Sequence, residues 1–196
     1  MLLKNKSIII SLILALIIGG ATYYYFAIYN SVRDVFVAST YKGFPTAPSL
    51  FSGAYLVVIG TPIKDFKDRK LHLWKLPNGG IMDIATYTEL KVEKVLKGPK
   101  EDAVDLTVFE PIGVYQTFEG KRRMAYEGYT EMKKDSKYLI FLGKNAYGQY
   151  SVINMQAGKF NLDGTDPDDT KGSSIKSGIF ADLKSKYSQE LFTQSF

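Results

Sequence analysis

Few residues in this chain could do chemistry, and their scarcity restricts its function. His72 is the single histidine, and there is no cysteine. Serine hydrolases, multi-histidine zinc hydrolases and Cys–His enzymes need partner residues that are absent here or cannot be placed. The lack of cysteine also excludes disulfides, cysteine-ligated zinc and a lipoprotein attachment cysteine within the chain. We therefore predict no catalytic residue and no cofactor, and we favour a non-enzymatic function.

The segment 64–75, KDFKDRKLHLWK, interleaves basic and aromatic side chains. Such a mixture suits sugars or phosphate polymers, because rings stack on flat apolar surfaces while cations pair with phosphate. The predicted ligand-binding residues are Lys67, Arg69, Lys70, His72 and Trp74. The alternative is a solvated hairpin in which Trp74 packs against a neighbour and nearby aspartates dilute the charge.

Acidic residues give two weaker candidates for a site. Asp163, Asp166 and Asp168 could supply oxygen ligands to calcium, but their spacing is not that of an EF-hand and no glutamate closes the loop. A turn before a helix explains them equally well. Glu127 and Glu131 could be paired acids of a glycan hydrolase, although a solvated face is the simpler interpretation. The basic triplet 121–123 is predicted to be a solvated loop.

An uncharged apolar stretch near the start predicts a membrane anchor. Residues 7–29 carry no charge, and as a helix they would reach roughly 34 Å, enough to cross a hydrocarbon core of about 30 Å. Tyrosines and a phenylalanine at its end suit an aromatic belt, and Lys4 and Lys6 place residues 1–6 in the cytoplasm. The alternative is a signal peptide cleaved near residue 21. Residues 30–52, with one glycine and two prolines, are predicted to be a tether.

The pattern after the tether predicts one β-rich extracytoplasmic domain, residues 53–196. Alternating or continuous apolar runs predict about six strands, the longest near residues 81–98, with a break in alternation at 94–96 that indicates a bulge. Residues 113–131 are predicted to be a polar excursion. Apolar residues from 175 onward recur at helical spacing, which predicts a C-terminal helix over about 173–192. Fourteen tyrosines and twelve phenylalanines also favour a β-rich fold.

Four segments resemble the netrin-like module in their order and spacing. They are AYLVVIGTPI, TYTELKVEKVLKGP, AVDLTVF and MKKDSKYLIFL, which lie between residues 54 and 142. The resemblance implies an OB-like closed β-barrel with a closing helix, the fold that also underlies the tissue inhibitors of metalloproteinases, and it implies a binding role. Those inhibitors chelate a protease zinc through an N-terminal cysteine, so their mechanism cannot be transferred to this cysteine-free chain.

These observations predict a single-pass protein of a Gram-positive-type cell membrane, with its C-terminal domain outside and acting as a binding or interaction module. The expected partners are the membrane, through residues 7–29, and an envelope protein or an anionic cell-wall polymer. Without its first three bases the chain carries a net charge of only +2, so no nucleic acid is expected. Two alternatives stay open: a cell-wall glycan hydrolase that uses carboxylates alone, and a structural accessory subunit of an envelope complex.

Overall fold

The computed structural model describes residues 2–165 and 174–192. The described residues divide into two compact units. The first contains the chain up to Val35 together with Val114–Arg123, and the second contains Phe36–Gly113 and the described residues from Met124 onward.

The N-terminal segment is helical and exposed to its surroundings. Helix α1 (Leu2–Tyr23) continues as a π-helical stretch, Tyr24–Tyr29. The span Lys6–Tyr29 is long and apolar enough to cross a membrane, and the structure buries none of it. The hydroxyl of Ser11 donates to the carbonyl of Ser7, 3.0 Å away, so this polar group is satisfied within the helix. The predicted apolar helix is therefore confirmed.

The remaining elements are mostly strands. In the described part of the chain the strands are β1 (Val32–Val37), β2 (Leu56–Pro62), β3 (Lys70–Lys75), β4 (Ile81–Lys97), β5 (Thr107–Glu110), β6 (Ile112–Thr117), β7 (Gly120–Tyr126), β8 (Tyr138–Lys144), β9 (Tyr150–Val152) and β10 (Lys159–Asn161). The further helices are α2 (Ala47–Gly53) and α3 (Ser174–Phe192). A short sheet has the order β1-β7-β6.

Five strands close into a barrel. Strand β2 pairs with β4 and β8, β4 pairs with β5, and β9 joins β5 to β8. The β5–β9 pair is parallel, with Phe109 opposite Ser151, and the other pairs are antiparallel. Counted along the chain, the barrel strands follow the order 1-2-3-5-4-1, which is the arrangement of an OB-fold. The predicted OB-like closed barrel with a C-terminal helix is confirmed.

The long strand β4 bends as it passes around the barrel. Its register against β2 shifts twice, once where Val57 and Val58 face Lys97 and Val95, and once between Ile59 and Gly60. Each shift leaves an extra residue on β4, which bends the strand and increases its twist. The first irregularity coincides with the break in alternation at 94–96, so the predicted bulge is confirmed.

The barrel has a core on each side of β2. Leu56 and Val58 point into the barrel, whereas Val57 and Ile59 pack outward against residues of α2 and α3. Every residue of β2 except Thr61 is buried as a result. A strand covered on both faces requires the continuous apolar run that the sequence shows.

The stretch 30–52 differs from the predicted tether, because it contains β1 and most of α2. Helix α2 begins at a capping box in which the Thr46 side chain accepts from the Ser49 backbone, and Pro48 occupies its first turn. Leu50 of this helix is fully buried in the outer core. The prolines that indicated an irregular tether in the sequence therefore mark the start of a helix that packs on the barrel.

A buried ion pair joins the chain segment before β3 to the barrel interior. The guanidinium of Arg69 donates to the Glu110 carboxylate at 2.9 Å, and both side chains are almost completely buried. Arg69 also donates to the Thr88 hydroxyl and to the Met132 carbonyl, at 3.1 and 2.6 Å. The second oxygen of Glu110 accepts from the Tyr129 hydroxyl and the Met132 amide, each at 2.9 Å. We call the group formed by Arg69, Thr88, Glu110, Tyr129 and Met132 the interior network.

The interior network satisfies both of its charges with hydrogen bonds. Burial, followed by the charge of Glu110, raises the pKa of Tyr129 well above its usual value, so this tyrosine keeps its proton and remains a donor. A buried pair of this kind stabilises a fold only while both partners are present, because either charge alone would lack compensation inside the protein.

We expect Glu110→Gln to lower the free energy of unfolding by about 3–5 kcal/mol, because it leaves the Arg69 charge buried without its counter-charge. Urea unfolding of the full chain in detergent micelles, followed by near-UV circular dichroism, measures this loss. The matched control is Glu89→Gln, which removes the half-exposed ion pair with Lys64 and should cost less than about 1 kcal/mol. Equal losses for the two variants would contradict the importance of the interior network.

Candidate functional site

The register of β3 against β4 places the predicted ligand-binding residues. Lys70, His72 and Trp74 alternate along β3 and therefore share one face of the sheet. They lie opposite Tyr87, Ala85 and Asp83 of β4, and Tyr87 in turn lies opposite Phe109 of β5. We call the surface formed by Lys70, His72, Trp74, Asp83, Tyr87 and Phe109 the aromatic face. It lies on the outside of the barrel, because Thr86, Thr88 and Val108 take the alternate, buried positions.

Three rings form a contiguous cluster on the aromatic face. The centroids of Tyr87 and Phe109 lie 5.5 Å apart at an interplanar angle of 78°. The imidazole of His72 lies 5.5 Å from the Phe109 ring and 6.2 Å from the Tyr87 ring. The two pairs that include Tyr87 are edge-to-face, a favourable arrangement of rings, and the His72–Phe109 pair is tilted. Trp74 is next in line on β3 and is 46% exposed.

Charged groups border the rings at both ends. The Lys70 ammonium lies 5.4 Å from the centroid of the Tyr87 ring, within cation–π range. At the other end, His72 Nε2 is 3.8 Å from Asp83 Oδ2, and Tyr126 donates its hydroxyl proton to Asp83 Oδ1 at 3.0 Å. The face thus combines apolar ring surface with a cation at one end and a carboxylate at the other.

The loop between β8 and β9 reaches the same face. Gln149 donates its side-chain amide to the Tyr87 hydroxyl, 3.1 Å away. The Asn145 side chain accepts from the Tyr147 and Gln149 backbone amides, which holds the loop in a compact turn. Tyr147 at its tip is 68% exposed. In OB-folds the ligand surface is built from barrel strands 2 and 3 and from the loops that follow strands 1 and 4, which are the parts brought together here.

Two of the five predicted residues do not belong to the aromatic face. Arg69 is 7% exposed and is a member of the interior network, so its prediction as a surface ligand-binding residue requires correction. The physical reason is that Arg69 precedes β3 and turns towards the buried Glu110 carboxylate. Lys67 is exposed on the 3₁₀ turn Phe66–Asp68, before β3.

Sequence reasoning missed Asp83, Tyr87, Phe109 and Gln149. Tyr87 occupies an odd-numbered position of β4, in the same outward register as Glu89 and Lys91. An aromatic residue in an otherwise charged outward row was the signal that could have found it. Phe109 likewise shares the outward register of β5 with Thr107.

Of the predicted calcium ligands, Asp163 forms hydrogen bonds within the protein. Asp163 accepts from the Lys137 amide at 2.9 Å and from the Thr165 hydroxyl at 2.8 Å. Burial opposes its ionisation, but these and further hydrogen bonds together lower its pKa below the usual value. Asp166 and Asp168 lie outside the described residues. Within residues 2–165 and 174–192, no group of three or more potential metal-ligating His, Cys, Asp or Glu side chains occurs.

A separate pocket of about 590 Å³ is lined by the segment before α2, by residues near Asn154 and by the start of α3. Its amide side chains are engaged in holding the chain together: Asn154 bonds to both the amide and the carbonyl of Phe44, and Gln156 bonds to the amide and hydroxyl of Thr130. Because these polar groups are already satisfied within the protein, we assign the candidate site to the aromatic face.

Comparison with known proteins adds no family to this geometry. No protein-family model matches the chain, and a search of curated proteins gives no match. The resemblance to the netrin-like module stays a prediction.

Asp83→Asn is expected to lower the pKa of Tyr126 towards its usual value of 10.0, measured by ¹³C NMR of the labelled tyrosine ring carbon with Tyr126→Phe for assignment. Burial raises this pKa most, and the charge and hydrogen bond of Asp83 raise it further. The unfolded chain loses the Tyr126 proton near pH 10 while the folded chain retains it, so stability falls as pH rises above 10. That fall should be shallower in the variant.

Asp68→Asn is the control for the Asp83 variant, because Asp68 is an exposed aspartate of the turn before β3. It should leave the titration of Tyr126 unchanged. An unaltered Tyr126 pKa in Asp83→Asn would contradict the described contact between the two side chains.

Proposed function

We propose that this chain is a membrane-anchored extracytoplasmic binding module and that the aromatic face holds its ligand. The observation that carries the proposal is the cluster of His72, Tyr87 and Phe109 beside the half-exposed Trp74. Grouped rings on an outer surface leave apolar area that a ligand can cover. By contrast, the outer surface of β2 and β8 packs against α2 and α3.

The composition of the face favours a polymer of sugars or of sugar-like phosphodiesters. Rings offer flat apolar contact to the C–H faces of a sugar or polyol, and Lys70 offers a cation to a phosphate group. Asp83 and His72 add groups that can bond to hydroxyls. An anionic cell-wall polymer presents all three partners, so it is the ligand class that we propose.

Fold and anchor support the rest of the proposal. A closed barrel of OB topology, with a helix packed on it, is the arrangement expected of a netrin-like module, and we propose that the domain is a cysteine-free member of that group. The helix Lys6–Tyr29 is suited to hold the domain at a membrane. Lys4 and Lys6 lie at the N-terminal end of the apolar span and the next base is Arg33, so the positive-inside rule supports a location of the domain outside the cell.

Lys70→Ala and Trp74→Ala are each expected to weaken binding of poly(glycerol phosphate) about tenfold, equivalent to about 1.4 kcal/mol. Calorimetric titration of the full chain in nanodiscs measures the affinity. Phe36→Ala and Lys100→Ala are matched controls, because they remove an exposed ring and an exposed base that are not part of the aromatic face. Neither control should change the affinity.

Two results of the titration would contradict the proposal. The first is equal binding by all four variants, which would remove the aromatic face as the ligand surface. The second is turnover, seen as products released from the polymer during the titration, which would replace a binding role with an enzymatic one.

An epitope tag fused after Phe196 is expected to be degraded when protease is added to intact protoplasts, because the domain is proposed to lie outside. A tag fused before Met1 should survive until the membrane is permeabilised. Protection of the C-terminal tag would contradict the proposed orientation, and loss of the N-terminal tag from the full-length product during export would favour a cleaved signal peptide.

A further inference from the structure

The first compact unit brings a β-hairpin against the end of the apolar helix. The hairpin is the turn between β6 and β7, within Val114–Arg123. Gln116 donates its side-chain amide to the Tyr29 carbonyl at 3.0 Å, and the Lys121 amide donates to the Ser31 carbonyl at 2.7 Å. Both strands of the hairpin are therefore fixed to the point where the helix ends.

Gly120 allows this close approach. Its φ of +110° lies in the region that favours glycine, and an added Cβ would lie 2.5 Å from the Ser31 hydroxyl and 2.7 Å from the Ile28 carbonyl. The Thr117 hydroxyl donates to the Gly120 carbonyl at 2.7 Å and closes the turn. Gly120 and Thr117 thus hold the hairpin in a defined position against the end of the helix.

The tip of the hairpin returns along the helix instead of pointing beyond its end. Tyr24 donates its hydroxyl proton to the Phe118 carbonyl at 2.8 Å. Tyr24 is five residues before the end of the apolar span, so it lies within the span and not beyond it. The tip therefore lies beside the aromatic residues of the helix that are predicted to form a belt at the lipid–water boundary.

Phe118 carries an apolar ring at this tip. It is 88% exposed, and Tyr25 and Phe26 of the helical segment are also exposed. A phenylalanine so exposed has no protein surface to cover it within the described residues, and a lipid interface would cover it.

Basic residues follow the ring. Residues 30–35 and 114–123 contain Arg33, Lys121, Arg122 and Arg123 against two acids, Asp34 and Glu119. Arg122 pairs with Glu119 at 2.6 Å, and Arg123 lies 3.9 Å from Asp34, so two positive charges are in excess. The Lys121 backbone bonds to Ser31, and Arg33 follows Ser31 by two residues, so both bases lie just past the helix end, where lipid phosphates would be.

We propose that the β6–β7 hairpin is a second membrane contact: Phe118 inserts into the interface of the bilayer that holds α1, and the bases behind it face lipid phosphates. The inference rests on the proposed anchor and goes beyond it, because it assigns a lipid-binding role to a segment of the chain 94 residues after Tyr24. It also changes the interpretation of the triplet 121–123, predicted from the sequence to be a solvated loop.

The test uses the full chain in nanodiscs of phosphatidylglycerol and phosphatidylcholine, with lipids brominated in the acyl chains near the headgroup. Trp74 is the single tryptophan, so F118W in a W74F background reports the hairpin tip alone. F26W in the same background is the positive control for the helix. We expect brominated lipid to quench F118W emission to nearly the same extent as F26W emission.

A second measurement exploits the absence of cysteine. F118C and F26C each introduce a single cysteine that a water-soluble maleimide can label. The labelling rate of each variant in nanodiscs is compared with its labelling rate after denaturation in SDS. Protection of both residues in nanodiscs is the expected result. Quenching and protection at residue 26 but not at residue 118 would overturn the hairpin contact and leave the anchor in place. If residue 26 shows neither quenching by brominated lipid nor protection from the maleimide, the anchor and the hairpin contact are both overturned.

Discussion

The ion pair between Arg69 and Glu110 is the constraint on which the candidate site depends. Arg69 immediately precedes β3, so its guanidinium fixes the beginning of the strand that carries His72 and Trp74. Because the pair is buried, neither charge can be solvated if the other moves away, and the strand has one favoured position relative to the barrel. Tyr129 and Met132 complete the network from the segment after β7. A surface suited to binding is thus held in place from inside the barrel.

The barrel uses its two outer surfaces differently. On one, Val57 and Ile59 require cover, and α2 and α3 supply it. On the other, β3 pairs with β4 and extends the row of side chains that begins on β4 and β5. The same alternation that buries Thr86 and Val108 turns Tyr87 and Phe109 outward. Alternate residues of the same strands therefore form the buried core and the aromatic face.

Much of the fold could be predicted from the sequence, because β2, β4 and β8 carry patterns long enough to be distinctive. The bulge near 94–96 followed from a break in the alternation of apolar residues, and the C-terminal helix followed from apolar residues at helical spacing. Strands β6 and β7 were not predicted, because residues 113–131 alternate weakly and their pairing depends on contacts with residues distant in sequence. The candidate site was predicted in part: adjacent residues such as His72 and Trp74 stand out within one segment, whereas Phe109 joins them only through strand pairing. Arg69 was predicted as a surface residue for a related reason, because its buried partner Glu110 is 41 residues away in the sequence.

The burial of β2 on both faces has a consequence for the integrity of the domain. Ile179 and Leu183 of α3 lie over the outer core that also contains Phe141 and Phe160. A chain without α3 would retain every barrel strand but would expose the apolar outer core, including its phenylalanine rings, to water. Molecules without α3 would be prone to aggregate through this exposed apolar surface. Helix α3 therefore prevents self-association in addition to stabilising the barrel.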